Sequence, residues 1–348
     1  MPSSAILKKR LREANSVPIH HIPKDMTAKD FKAAVAIDPA WAAGLTKPVR
    51  ITDYCDMAGS GITHLSKLLS FTARDGKGNS ADFSGCPNIK VAEGRFAGFV
   101  DFSESGIEEI GELTITRPNK MRCAAAFHIC KNLKVASGTF PGSVGFTCSG
   151  IDRIEDLHIA KPDRIGTAAL FVSCENLKVA EGTFPGAVDF TSSGVQKIGD
   201  LKIIKPDNNG CAAGFHGCRN LGVAEGTYPG FVEFGRAGIE RIGKLTITKP
   251  DREGNAAGFF GCRNLKVAEG TFPGYVDFSN SNIKKIGKLE ITVPIKGREK
   301  ANFTGCHDLR LQDEFLGPEY AMEDTFRQET LNRNAVAKAQ KEAPEIEI

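Results

Sequence analysis

The chain has 348 residues, of which 25% are charged and 41% hydrophobic, and its formal net charge at pH 7 is +3. This composition is that of an ordinary folded protein and excludes a disordered chain or one with a strong affinity for polyanions. No stretch approaches the roughly 18 apolar residues that span a bilayer, so no membrane insertion is expected. The N-terminal sequence lacks the apolar segment of a secretory signal peptide, although secretion without a cleaved signal stays open.

The N-terminal segment, residues 1–49, does not repeat and is predicted to form a helical cap. Residues 3–14 fit a short basic helix. Thr27 is a candidate N-cap for a second helix that carries Phe31. A third short helix is predicted around Trp41, the one tryptophan of the chain, which we expect to pack on the first repeat.

The following region is built from a repeat of 44 residues. Each repeat carries the pattern Phe-x-x-Cys. Its cysteines are Cys86, Cys130, Cys174, Cys218, Cys262 and Cys306. A fixed period of this length is typical of solenoids and arrays, in which each unit buries its apolar face against its neighbours.

Each 44-residue period contains two similar halves. The Cys-type half has the form Ala-x-Phe-x-x-Cys-x-x-Leu, as at 81–89. The Ser-type half has the form Val-Asp-Phe-Ser-x-Ser-Gly-Ile, as at 100–107. Six copies of each half give about twelve short coils across residues 50–311.

At these residues the chain resembles bacterial leucine-rich repeat proteins in which Cys-type and Ser/Thr-type repeats alternate. Phe102-x-x-Ser105-x-Ile107 fits the family pattern with Ser in the Asn position, while Phe replaces the usual Leu. The resemblance implies a parallel sheet on a concave side and a protein-binding role.

Alternation along the repeated segments predicts strands and a continuous core. Val100 and Phe102 should face one side of a strand and Asp101 the other. We therefore predict a mainly β repeat solenoid, leucine-rich-repeat-like and right-handed, over residues 50–311. Residues 312–348 are predicted to form a C-terminal helical cap followed by a polar tail.

The ten cysteines indicate a structural role and a reducing compartment. Like units lie two coils apart, about 10 Å at the usual strand spacing. A disulfide requires Cα atoms within about 7 Å, so this ladder cannot cross-link itself. Buried thiols behave as small hydrophobes, and so many of them favour a cytoplasmic protein, either in a bacterium or in a host cell after signal-independent secretion.

Motifs that carry chemistry are missing from the sequence. There is no P-loop, no nucleophile elbow and no spacing of cysteine and histidine typical of metal sites. His128 and His216 hold the same repeat position but lie four coils apart, about 19 Å by strand spacing, too far to share a metal. We therefore expect no enzyme activity, no cofactor and no metal.

The side chains beside each core Phe are the candidate binding residues. An acidic residue recurs before the Phe of the Ser-type halves, and the Cys-type halves vary strongly around their Phe. The predicted protein-binding residues are Asp101, His128, Leu170, Val172, Asp189, His216, Glu233, Phe260 and Asp277. Two interpretations are open: adaptation of an exposed face to a partner, or packing of these side chains against one another along the sheet.

The functional expectation is a non-catalytic scaffold that binds another protein, as a bacterial effector or adaptor. The acidic residues favour a partner with basic side chains, and nucleic acid is not expected. The alternatives are a recognition or regulatory subunit of an enzyme or toxin complex, and a structural array that assembles with itself.

Overall fold

A computed structural model describes residues 23–293, 299–309, 320–322, 328 and 335. The chain divides into two compact units, Met1–Arg164 and Ile165–Ile348. Each unit is a parallel β-solenoid, so the predicted mainly β repeat fold is confirmed.

The described part of the first unit, from residue 23 onwards, contains one α-helix and twelve strands. Helix α1 (Ala28–Ile37) is followed by a turn of 3-10 helix, Trp41–Gly44. The strands are β1 (Asp25–Met26), β2 (Val49–Ile51), β3 (Cys55–Asp56), β4 (Leu69–Phe71), β5 (Asn79–Asp82), β6 (Val91–Phe96), β7 (Phe99–Asp101), β8 (Glu109–Ile115), β9 (Cys123–Ala126), β10 (Val135–Phe140), β11 (Ser143–Gly145) and β12 (Arg153–Ile159).

The second unit repeats the same alternation of short and long strands. Its strands are β13 (Thr167–Leu170), β14 (Val179–Phe184), β15 (Ala187–Asp189), β16 (Lys197–Ile203), β17 (Cys211–Gly214), β18 (Val223–Tyr228), β19 (Phe231–Glu233), β20 (Arg241–Ile247), β21 (Asn255–Gly258), β22 (Val267–Phe272), β23 (Tyr275–Asp277), β24 (Lys285–Ile291), β25 (Ala301–Asn302) and β26 (Tyr320–Ala321).

The short strands of each unit pair in parallel into one sheet, which we call the short-strand sheet. Its order is β3-β5-β7-β9-β11 in the first unit and β13-β15-β17-β19-β21-β23-β25-β26 in the second. The long strands lie on another side, as β1-β2-β4-β6-β8 and the pair β10-β12 in the first unit, and as the pairs β14-β16, β18-β20 and β22-β24 in the second. From β2 to β25 the chain alternates between the two sides, with one strand on each side per coil.

Stacked phenylalanines form the core behind the short-strand sheet. In the second unit Phe190, Phe215 and Phe234 are fully buried, with ring centroids 5.3 and 5.4 Å apart. The rings are nearly parallel because equivalent side chains lie directly above one another in a parallel stack. The predicted spine of phenylalanines is confirmed in both units.

The repeated cysteines are buried free thiols that take part in hydrogen bonding. The Cys218 thiol donates to the Phe190 carbonyl oxygen at 3.1 Å, and the Ser193 hydroxyl lies 3.5 Å from the same sulfur. The repeated thiol thus links each Cys-type coil to the backbone of the Ser-type coil before it.

One residue of each coil has a left-handed backbone, two positions after the core Phe. This residue lies in the turn after the short strand, and its N–H donates to a carbonyl of the next coil, as in Gly217 to Gly235 at 2.8 Å. Glycine occupies this position in some coils. The non-glycine examples are Glu104, Ile129, Cys148, Ser173, Ser192, Arg236 and Asn280.

The N-cap predicted at Thr27 and the helix that follows it are confirmed. The Thr27 side chain accepts a hydrogen bond from the Asp30 N–H at the start of α1. Phe31 is fully buried and contacts Trp41 edge to face, with ring centroids 5.9 Å apart. The predicted third helix is a single turn of 3-10 helix. The helix predicted for residues 3–14 lies outside the described residues.

The C-terminal segment contributes a strand where it is described. Strand β26 pairs in parallel with β25, and Tyr320 is buried with its ring 6.3 Å from that of Phe303. The short-strand sheet of the second unit thus receives a strand from the region assigned to the cap. The rest of the predicted helical cap lies outside the described residues, apart from 322, 328 and 335.

Candidate functional site

Two outward columns of side chains run along each short-strand sheet. The pre-Phe column holds the residue before each core Phe, and the post-Phe column holds the residue after it. In the second unit the pre-Phe column is Leu170, Asp189, Gly214, Glu233, Gly258, Asp277 and Asn302. The post-Phe column there includes Val172, Thr191, His216, Gly235, Phe260, Ser279 and Thr304.

All nine predicted binding residues lie in these columns. Asp101 and His128 belong to the first unit, and the other seven belong to the second. Strand register brings Asp189, Glu233 and Asp277 into one line, with a glycine between successive acids. Every one of the nine is partly buried, because neighbouring coils cover its sides.

The repeated acidic residues cap the turns that follow them. In each case a carboxylate oxygen accepts a hydrogen bond from the N–H two residues later, at 2.8 Å for Asp101 to Ser103 and for Asp189 to Thr191. Glu233 and Asp277 do the same at 2.5 and 2.9 Å. Asn302, which holds the same position in a Cys-type coil, accepts the equivalent bond through its amide oxygen, from the Thr304 N–H at 2.9 Å. Recurrence of the acid therefore has a structural reason within the coil.

This geometry separates the charge of Asp189 from its role as a cap. We expect Asp189→Asn to leave the free energy of unfolding within about 0.5 kcal/mol of wild type, because the amide oxygen can still accept from Thr191. Asp189→Ala should cost about 1 kcal/mol, because it leaves that N–H without its partner. Urea unfolding of both variants measures the difference. Equal losses of unfolding free energy in the two variants would show that the charge of Asp189, rather than its cap, stabilises the coil.

Gly145 interrupts the acidic series because His128 occupies the space. A side chain at Gly145 would overlap the His128 ring, with the ring Nε2 2.6 Å from the new Cβ. Nδ1 of His128 is buried without a hydrogen-bond partner in the described structure, and burial lowers the pKa of this imidazole. The two departures from the repeat thus compensate each other sterically.

A second cluster of residues that differ from the repeat consensus lies in the middle of the second unit. The Glu233 carboxylate and the Phe260 ring both extend over positions where neighbouring coils have glycine. A Cβ at Gly258 would lie 2.7 Å from Glu233 Oε1, and one at Gly235 would overlap Phe260. The His216 and Phe260 rings are 5.5 Å apart. Along the sheet, a large side chain in one coil is therefore paired with a glycine in the neighbouring coil, and this accounts for much of the variation in the Cys-type halves.

Glu233 gives this cluster a pH dependence. Burial raises the pKa of its carboxyl above the ordinary value, and the nearby charge of Asp277 adds to the rise against the Gly235 hydrogen bond. An acid whose pKa is raised on folding adds stability below its unfolded pKa and loses that contribution as the pH rises through the folded pKa.

We therefore expect Glu233→Gln to be more stable than wild type at pH 7, because the amide keeps an acceptor for Gly235 without a buried charge. The advantage should shrink as the pH falls below the raised folded pKa towards the ordinary pKa of a glutamate, 4.5. Urea unfolding of both proteins across this range gives the difference, in which the other titrating groups cancel. A difference that does not change with pH would contradict the assignment to Glu233.

Three arginines that the sequence reasoning missed lie beside this cluster. Arg219, Arg236 and Arg263 are exposed and line one groove of about 720 Å³ together with Phe260. Arg219 and Arg236 also line a neighbouring groove with His216 and Glu175. The repeated sequence Cys-Arg-Asn at 218–220 and 262–264 was the available signal. Arg236 lies outside this repeated sequence, in the Ser-type half between its two copies.

The thiols offer no reactive group at this face. Burial raises the pKa of Cys262 to about 12, so it is protonated at neutral pH. The Cys211 thiol has its pKa raised to about 12 by burial and by nearby carboxylates, Asp207 first. A nucleophilic cysteine requires the opposite, an environment that favours the thiolate.

Metal-binding clusters and membrane-spanning helices are both missing from the described residues. Within them, no group of three or more His, Cys, Asp or Glu side chains is arranged to hold a metal ion. No helix in the described part of the chain has the length and apolar character to cross a membrane.

Comparison with known proteins adds no relative. No protein-family model, no curated protein and no solved structure matches this chain. The parallel β-solenoid is therefore the level at which its fold is established.

Proposed function

We propose that the chain is a non-catalytic scaffold that binds another protein through the short-strand sheet of its second unit and the turns beside that sheet. The observation that carries this proposal is the groove at Phe260, where an aromatic ring and three exposed arginines meet. Arginine and aromatic residues are enriched among the residues that dominate protein–protein binding energy. Glu233 and His216 add polar groups at the edge of the same patch.

The finer assignment is to the bacterial leucine-rich repeat proteins, acting as an adaptor or as an effector in a host cytosol. Its support is the alternation of Cys-type and Ser-type halves on a parallel short-strand sheet. Buried free thiols suit a reducing compartment.

The test begins with capture of proteins from bacterial and host lysates on the immobilised chain. Each captured protein is then purified, and its affinity is measured for wild type and for the double variant Val172→Ser with Phe260→Ser. We expect the double variant to bind at least about tenfold more weakly, because it removes apolar contact area. Light scattering of the chain alone shows whether it assembles with itself.

The matched control is Ile204→Ser, which removes an exposed apolar side chain directly after strand β16. Its affinity should equal that of wild type. Equal affinity of the Val172/Phe260 double variant for every purified partner would contradict the assignment of this face, and failure to recover any partner would contradict the binding role.

A further inference from the structure

The arginines of the second unit form a cationic groove without acidic partners. We define the arginine groove as Arg219, Arg236 and Arg263 with the asparagines Asn220, Asn264 and Asn280. None of the three guanidinium groups makes an ion pair with a described residue. By contrast, Arg50 pairs with Asp25, and Arg153 pairs with Asp152 and Glu155. Three free guanidinium groups lining one groove form a site for anionic groups.

The conformation of Arg236 and its contact with Phe260 place its guanidinium group at this groove. Arg236 has a left-handed φ of 56°, like the residues at the same position of the neighbouring Ser-type halves, Ser192 and Asn280. A side chain with a Cβ is disfavoured in that region, and glycine would be free of this penalty. The guanidinium lies 5.3 Å from the Phe260 ring centroid, which orients it by a cation–π contact. The feature particular to Arg236 is therefore its side chain, which the Phe260 ring holds at the groove.

We propose that the arginine groove binds an extended acidic segment of a partner protein. Arg219 and Arg263 hold equivalent places two coils apart, about 10 Å by strand spacing, and Arg236 lies in the coil between them. A peptide in the polyproline II conformation advances about 3.1 Å per residue and completes one turn every three residues, so acidic side chains three residues apart lie on one face, about 9 Å apart, and match the outer two arginines. The asparagine amides can hydrogen-bond the backbone of such a segment. This inference rests on the proposed protein-binding function and gives the partner the charge opposite to the one that the acidic series suggested.

The surrounding charges favour an acidic peptide over a nucleic acid. The acidic pre-Phe residues Asp189, Glu233 and Asp277 lie on the sheet next to the groove, and Glu175 lines its neighbouring part. A continuous phosphate backbone would meet these carboxylates as well as the arginines, and like charges in close contact are unfavourable. A peptide can place its acidic side chains at the arginines alone.

The experiment measures fluorescence anisotropy of a short labelled peptide with glutamate at every third position. The comparison probes are the same peptide with glutamine at those positions, and a single-stranded DNA of equal net charge. We expect the glutamate peptide to bind most tightly and its affinity to fall as salt is added. Tighter binding of the DNA, or equal binding of the glutamine peptide, would overturn the proposal.

The groove variant is Arg219→Ala, Arg236→Gly and Arg263→Ala together. Its matched control is Lys202→Ala, Lys244→Ala and Lys288→Ala, which removes as many charges from exposed lysines on the long strands β16, β20 and β24. We expect about a tenfold or greater loss of peptide affinity for the groove variant and less than about a twofold loss for the control. Equal losses would show that net charge alone attracts the peptide and would overturn the proposal.

The single variant Arg236→Gly separates binding from folding. Its melting temperature should equal or exceed that of wild type, because glycine adopts the left-handed conformation freely, while its peptide affinity should fall. A lower melting temperature with unchanged affinity would give Arg236 a structural role only. A partner protein whose binding depends on Phe260 but not on the arginines would overturn this inference and leave the proposed function standing.

Discussion

Replacing Phe215 by alanine is expected to lower the free energy of unfolding by about 3 to 5 kcal/mol, because the spine leaves no side chain free to fill the space. Phe215 is fully buried, and its ring stacks on Phe190 at 5.3 Å and on Phe234 at 5.4 Å. Both neighbours belong to adjacent coils, so one substitution weakens two interfaces between coils. Urea unfolding followed by circular dichroism gives the change.

Ile204→Ala is the control for Phe215→Ala. Ile204 is 47% exposed in the same unit, so its truncation should change the free energy of unfolding by less than about 1 kcal/mol. If Phe215→Ala were as stable as this control, the spine could not be the main apolar core of the unit.

Gly194→Ala is expected to cost about 3 kcal/mol despite adding a single methyl group. The Gly194 N–H donates to the Cys174 carbonyl at 3.0 Å, which holds the backbone of one coil against the preceding one. A Cβ at Gly194 would overlap the carbonyl oxygen of Glu175 and lie 2.7 Å from its carbonyl carbon. Both atoms belong to the backbone, so relief requires the two coils to separate.

Gly222→Ala provides the matched comparison. A Cβ at Gly222 would meet no atom within 4 Å, and its backbone is not left-handed. We expect this substitution to leave the free energy of unfolding within about 0.5 kcal/mol of wild type. Thermal unfolding of the two glycine variants side by side tests the close approach of the coils, which equal stabilities would contradict.

The periodic features could be predicted because they depend on spacing alone. Phe102 and Cys130 recur at fixed intervals, and in a stack a fixed interval becomes a buried column. The N-cap at Thr27 followed from local chemistry, since its side chain satisfies an N–H at the start of α1. The placement of the candidate binding residues in outward columns followed from the alternation of side chains along a strand.

Contacts made by residues that differ from the repeat consensus could not be predicted from the sequence. The fit of His128 over Gly145 depends on the register between coils, which the sequence does not state. The arginine groove could not be predicted because Arg219 and Arg236 hold different positions in the two kinds of half-repeat. They come together only when the coils stack. Asp189 caps a turn, so the recurrence of acids along the sheet does not by itself indicate a binding surface. The sequence alone does not distinguish an acid that caps a turn from an acid that binds a partner.

The 44-residue register has a consequence for how this molecule can change over generations. Phe215 and Phe259, like Arg219 and Arg263, occupy interchangeable places within the second unit. Duplication or loss of one whole period by unequal recombination would join backbone ends of matching conformation and alter the face by two strands, about 10 Å. Length can therefore vary in discrete steps while point substitutions in the outward columns vary the chemistry, and neither kind of change needs the other.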